Sequence, residues 1–207
     1  KIHQQRLRKI SVGGYGEWLY ENVRKTRQDG LASGRKDGVD QLRTVLYFGY
    51  KFNDWITFNS ELEMEHGSTK IGGEYGVEFS QLDFRFHPMI GIRAGLLLVP
   101  VGLINEMHEP TTFHGAKRPN VEVNIFPSTW RENGIGIFGQ IGRVEYRSYL
   151  VSGLQAASDA SVTGFTAASA FRNGRNKGSQ GKAEDFAWVS RVDVSPWPNL
   201  SLGASLY

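Results

Sequence analysis

Apolar and polar side chains trade places at every second residue through nine stretches of this chain. They fall near 10–20, 40–52, 56–66, 75–87, 89–100, 134–139, 142–153, 186–195 and 199–207. A period of two is the mark of β-strands with two unlike faces. The connections come in two lengths. Four are tight turns, at Asn53-Asp54-Trp55, His87-Pro88-Met89, Gln140-Ile141 and Pro196-Trp197-Pro198; the others, near 21–39, 67–74, 101–133 and 154–185, are long. Short and long alternate after the first strand, the layout of an antiparallel up-and-down β-barrel with turns at one rim and loops at the other.

Pairing across the tight turns keeps like faces together. In the second strand Leu42, Leu46, Phe48, Tyr50 and Phe52 oppose Gln41, Arg43, Tyr47 and Lys51. In the third, Ile56, Phe58, Leu62 and Met64 oppose Thr57, Asn59, Glu61, Glu63 and Glu65. A turn at 53–55 then sets Arg43 across from Glu65. The turn at 87–89 matches Phe84 with Ile92, Phe86 with Ile90 and Asp83 with Arg93. The turn at 140–141 pairs Ile137 with Val144 and Ile135 with Tyr146, and that at 196–198 pairs Val192 with Leu202. A one-residue slip would turn every side chain over, so four agreeing hairpins constrain the fold. The phase breaks between Phe79 and Leu82, where a β-bulge near Gln81 is expected.

Periodicity alone also fits a soluble sandwich with its apolar face inward. Two features favour a membrane. The strands are mostly about ten residues long, as a tilted strand needs to cross hydrocarbon, against about five or six in soluble sheets. Aromatic residues gather near strand ends, at Trp18 and Tyr20, Tyr50, Phe52 and Trp55, Phe84 and Phe86, Phe186 and Trp188, and Trp197, like the girdles of membrane proteins.

Composition narrows the classes further. Hydrophobic residues make up 40%, yet mean hydropathy is −0.37, and no apolar run approaches the roughly 18 residues of a spanning helix. The longest uncharged one, Ala94 to Ile104, is broken by Pro100. Without cysteine there is no disulfide or thiolate site. The net charge of +3 is too small to point to nucleic acid, and no nucleic-acid motif is present. Lys1 is not an initiator Met, and the last stretch, Leu200 to Tyr207, ends still alternating. The sequence therefore reads as a piece of a longer protein.

The segment LLLVPVGLINEMHEPTTFHGAKRPNVEVNIFPSTWRENGIGIFG resembles the central part of outer-membrane porins of the phosphate-selective (OprP/OprO-like) superfamily. FGYKFNDWITFNSELEMEHG before it and GGYGEWLY near the start fit the same group. That resemblance covers about Ser11 to Tyr207 and implies a transmembrane 16-stranded barrel, usually a homotrimer, in the bacterial outer membrane. The nine strands would be part of a single β-barrel domain spanning 1–207, touching lipid and lipopolysaccharide outside and small hydrophilic solutes within.

On that reading the polar face lines an aqueous channel. It carries Arg43, Lys51, Arg85, Arg93, Arg143, Arg147 and Arg191, against Glu17, Glu61, Glu63, Glu65, Glu78, Asp83, Glu145 and Asp193. The signs nearly cancel. Phosphate selectivity would need rings of cations, and the Glu61, Glu63, Glu65 row works against it. A passive pore for small hydrophilic, in part anionic, solutes is the expectation. A barrel serving as scaffold or sheath in a larger envelope complex, and a soluble β-rich binding module, are the alternatives.

The long stretch 101–133 follows neither period, and structureless loops of this length are usually functional. Pro110, Pro119 and Pro127 stiffen it, and Gly102, Gly115 and Gly134 supply turns. It is read as the constriction loop, with Glu106, Glu109, Lys117 and Arg118 at the narrowest zone. Glu106, His108, Glu109 and His114 are residue types that bind zinc or iron, but their spacing matches no standard site, so neither metal nor cofactor is expected. The other long loops are basic, with Arg24, Lys25, Arg27, Arg35 and Lys36 in one and Arg172, Arg175, Lys177 and Lys182 in the other. Each reads as a solvated surface loop or as a basic funnel for anions and lipopolysaccharide phosphates. No nucleophile elbow, zinc-protease helix or phosphate loop occurs, so no enzyme is expected.

Overall fold

The computed structural model of the chain describes residues 9–67, 72–126, 129–158 and 163–207; Pro127 lies outside them. Among the described residues nine strands form one up-and-down sheet, hydrogen-bonded in sequence order. They are β1 (Ile10–Glu21), β2 (Gly38–Lys51), β3 (Ile56–Glu65), β4 (Tyr75–His87), β5 (Ile90–Leu98), β6 (Arg131–Ile141), β7 (Val144–Ser152), β8 (Phe186–Trp197) and β9 (Leu200–Leu206). From β4 to β9 every pair is antiparallel. Among the described residues helical structure is confined to short turns in the loops, including α1 (Asn120–Asn124). No helix among the described residues is long and apolar enough to cross a membrane. Short and long connections alternate as the pattern predicts.

The chain divides into two compact units, Lys1–Gly49 with Ser60–Val77, and Tyr50–Asn59 with Glu78–Tyr207. In the first, Val12, Trp18, Tyr20, Leu46, Phe48 and Leu62 are exposed while Glu61 and Glu63 are buried. The His66 amide donates to the Leu42 carbonyl at 3.3 Å, which sets Arg43 across from Glu65 as expected. The guanidinium nevertheless reaches diagonally to Glu63 Oε1 and sideways to Glu17 Oε2, each at 2.8 Å.

The second unit corrects the hairpin registers. Phe84 faces Ile92 and Asp83 faces Arg93 as predicted, but Ile90 pairs with His87, and Phe86 becomes the extra residue of a bulge. The ladder from Ser80 to Arg85 runs uninterrupted against Leu96 to Gly91; towards β3 the Arg85 amide donates to the Trp55 carbonyl and the Glu65 amide to the Glu74 carbonyl, one residue more along β4 than along β3, as the bulge expected near Gln81 requires. The next turn lies at Gly142-Arg143, not Gln140-Ile141, because Gly142 at φ 60° fills the position a type II′ hairpin reserves for glycine. Ile137 therefore faces Ser148 and Ile135 faces Leu150, four residues from the expected partners. Val194, not Val192, faces Leu202, since Asn199 takes the left-handed conformation at φ 65° and moves the turn two residues on. Both shifts are even, so no face is inverted.

The buried apolar cluster comprises Leu97, Val99, Trp130, Tyr149, Val151 and Val189. By alternation and register Leu97 continues the row of Arg93, Tyr149 and Val151 that of Arg147, and Val189 that of Arg191. The core thus lies on the charged face, at its long-loop end, with Val101 and Leu154 from the loops packed against it. The Tyr149 ring crosses Gly136, where an added Cβ would come within 2.7 Å of the ring and closer still to the Ser148 carbonyl. Gly136→Ala is expected to cost about 1–3 kcal/mol through overpacking, read as a lower denaturation midpoint with an unchanged m-value.

Candidate functional site

On the charged face β7 and β8 place like charges opposite each other. Arg147 faces Arg191, and Glu145 faces Asp193. Such pairs are destabilising unless a diagonal or outside partner neutralises them. Asp193 does so first, with both oxygens on Arg191 at 2.7 Å and Oδ2 on Arg147 at 2.9 Å. Glu106, from the long loop, supplies the second negative charge, with Oε1 2.9 Å from Arg147 Nε and Oε2 3.9 Å from Arg191 Nε. Arg191 Nη1 also donates to the Gly102 carbonyl. The excess cation of the strand rows is what holds the loop on this face. Burial pushes the Glu106 carboxyl above its ordinary range, against the pull of Arg147, Arg191 and Arg93.

A second row lies beside it. Arg93 forks onto Asp83 through Nε at 2.7 Å and Nη2 at 2.8 Å, and its Nη1 donates to Tyr149 Oη at 3.2 Å. Phe138 lies under both Arg93 and Arg85, whose guanidinium carbons stand 4.7 and 5.2 Å from the ring centre. Two clefts open here. One of about 470 Å³ is bordered by Glu106, Arg143, Arg147, Arg191 and Asp193, and one of about 200 Å³ by Arg85, Arg93, Phe138, Glu145 and Arg147.

The loop is closed at its neck by Asn105, which is fully buried. Its Nδ2 donates to the Val99 carbonyl at 2.7 Å and to the Trp130 carbonyl at 2.8 Å, while Oδ1 accepts the Trp130 amide at 2.6 Å. Within the loop Arg118 donates to Thr129 Oγ1 at 3.0 Å and to the His108 carbonyl at 3.3 Å, above the Phe113 ring. Lys117 and His114 are exposed, and Glu109 is half-buried. Buried His108 meets the Asn105 carbonyl through Nδ1 at 3.1 Å. His108 and Glu109 bring possible ligand atoms within 4.8 Å of each other, and Glu106 and His114 are not part of that group.

The remaining expected residues fall as follows. Arg143 is exposed and donates to the Pro196 carbonyl. Lys51 pairs with Asp54 at 3.1 Å beside a short turn. Glu78 is buried, between exposed Val77 and half-buried Phe79, and pairs with Arg131 at 2.7 Å. Of the basic loop residues, Lys25 is held by Asp37 at 2.7 Å and Arg27 by Asp29 at 2.9 Å. Arg175 is a buried strut that donates to the carbonyls of Arg172 and Thr129; burial, helped by Arg172 and Arg131, lowers it to about 10.

Sequence reasoning missed Asn105, Tyr149 and Phe138. Pairs such as Asn105 with Trp130 leave no periodic trace. It also missed a polar knot in which Glu132 Oε1 accepts the Asn176 amide at 2.9 Å and Asn176 Oδ1 accepts Gln155 Nε2 at 2.8 Å.

No protein-family model matches the chain. It is 40% identical over 210 residues to an uncharacterised protein of Aquifex aeolicus (strain VF5), an alignment that takes in all of this chain and 45% of the relative. The chain thus spans less than half the length of that protein.

Proposed function

We propose that the chain forms part of the wall of a bacterial outer-membrane pore, through which small hydrophilic solutes pass passively along the charged face. The supporting observation is an inversion of the usual sheet. Ile135, Trp188 and Leu202 stand 53%, 56% and 58% exposed, while Arg191 on the other face is 9% exposed. A soluble sheet would bury the first set and solvate the second. A sheet with hydrocarbon on one side and a narrow aqueous space on the other does the reverse. The first unit repeats the inversion, with Trp18 and Phe48 exposed and Glu61 and Glu63 buried.

Aromatic residues support the same reading. Trp55, Phe86 and Trp197 are exposed beside short turns, and Phe186 and Trp188 at the long-loop end of β8, where interfacial anchors belong. Loop 101–133, drawn onto Arg147 and Arg191 by Glu106, narrows the passage.

Full-length protein, refolded in detergent, is expected to migrate differently on gels before and after boiling and to give stepwise conductance in planar bilayers. A heat-modifiable protein with no conductance would retain the barrel and discard the pore. A protein soluble without detergent would discard both.

A further inference from the structure

Two charged side chains beside the smaller cleft stand outside the networks described above. Arg93 is taken by Asp83, and Arg147 by Asp193 and Glu106. Arg85 and Glu145 border the same cleft of about 200 Å³, and both are exposed. Among the described residues neither side chain has a hydrogen-bond or ion-pair partner. The one contact of the Arg85 guanidinium is the Phe138 ring, 5.2 Å from its carbon to the ring centre.

Register explains why the two do not meet each other. Arg85 faces Gly91, Gly91 faces Phe138, and Phe138 faces Arg147, so one row crosses from β4 to β7. Three strand steps of about 4.8 Å set the ends of that row about 14 Å apart at the backbone. Glu145 stands on β7 two residues beyond Arg147, towards the short turns. Gly91 adds no side chain to the row, and the Phe138 ring lies across it, where an added Cβ would come within 2.8 Å of the ring. The cleft therefore has an aromatic floor, with an unmatched cation and an unmatched anion on its border.

We propose that this cleft binds a small zwitterion, with the size and charge pattern of an α-amino acid such as alanine. The carboxylate would accept from the guanidinium of Arg85, and the ammonium would donate to Glu145. Contact with the Phe138 ring steadies the guanidinium and takes none of its five N–H donors. A simple anion would bring a second carboxylate up to Glu145. A simple cation would meet Arg85 with nothing to offer it. A volume of about 200 Å³ holds roughly six or seven water-sized groups at about 30 Å³ each, and alanine has six heavy atoms. As the solute class of the passage the proposal rests on the pore reading. As a binding site it can be read in detergent without any conductance.

The test is isothermal titration of the full-length protein in detergent with L-alanine, using sodium propionate and ethylamine hydrochloride as the two single-charge contrasts. Saturable alanine uptake in the millimolar range is expected, with propionate and ethylamine each about fivefold weaker or absent. Glu145→Gln should weaken alanine about fivefold and bring it level with propionate, and Arg85→Gln should weaken it about fivefold and bring it level with ethylamine, the upper end of what an exposed ion pair contributes. Both side chains are exposed, so neither change should unfold the chain, and circular dichroism checks that each variant is folded. No saturable alanine uptake, propionate or ethylamine bound as tightly as alanine, or alanine uptake unchanged in both folded variants would overturn the proposal. Alanine uptake without bilayer conductance would retire the pore and leave the site; conductance without alanine uptake would do the opposite.

Discussion

Asn105→Ala is expected to open the neck of the long loop, with a loss of about 1–3 kcal/mol in stability, the cost of orphaning one buried donor. Three buried hydrogen bonds disappear, but they are not equivalent. The Val99 carbonyl keeps the Val101 amide at 2.8 Å, and the Trp130 carbonyl keeps the Val99 amide at 2.9 Å. The Trp130 amide has Asn105 Oδ1 as its acceptor and would be stranded against the apolar cluster. Asn105→Asp should be worse than Asn105→Ala, because it keeps that acceptor but turns a buried negative charge on two carbonyl oxygens. Protease cutting within 101–126, followed by mass spectrometry, reads the opening directly and does not depend on conduction. If the Ala and Asp variants were cut no faster than the parent, Asn105 would not be the clamp.

The strands were legible because alternation is a local property, and the faces of β6 to β9 were legible because the register errors at their two hairpins were even, whereas that at the β4–β5 turn was one residue, Phe86. Turn chemistry set those errors. Gly142 and Asn199 adopt left-handed conformations that favour one turn position over its neighbours, and counting hydrophobic residues cannot register this. The position of the core was not legible. Leu96, Leu97, Leu98 and Val99 are apolar on both faces, as are Tyr149, Leu150 and Val151, so at the long-loop end no polar residue betrays which side is covered. Only the folded-in loop decides it, by laying Trp130 and Val101 on the charged side. The phase change placed between Phe79 and Leu82 is present: Glu78 and Asp83, five residues apart, are both buried, while Tyr75 and Val77 before it and Phe86 after it are exposed. Within the loop, charge marked Glu106 as a candidate, but nothing in the sequence separates it from Glu109. The separation comes from Arg147 and Arg191 facing each other, which is a fact of register.

Glu106→Gln is expected to release the loop from the charged face and to shift ion preference towards anions. In the parent, Asp193 and Glu106 together balance Arg147 and Arg191. With Glu106 neutral, two facing guanidinium groups share a single carboxylate, and an unbalanced positive charge borders the 470 Å³ cleft. A double-mutant cycle with Arg147→Gln should give a coupling of about 1–2 kcal/mol. That is above a surface ion pair and below a fully desolvated one, since both side chains are about one-fifth exposed, 20% and 21%. The pH dependence follows from the direction of the shift. Burial raises Glu106 above its ordinary 4.5, so in the folded chain it takes up a proton at a higher pH than in the unfolded one. A raised acid favours the folded state progressively as pH falls from the folded value towards 4.5. Acidification should therefore break the contact to Arg147 and change conductance while this group adds to stability. An ordinary salt-bridged carboxylate, with a depressed value, would instead lose stability as its contact broke. In the parent, reversal potential measured in a salt gradient should move towards the anion side at a pH above 4.5 and approach that of Glu106→Gln. The variant itself should show no such step. A parent whose reversal potential stays flat through that range, or a variant that keeps the step, would remove Glu106 from the passage.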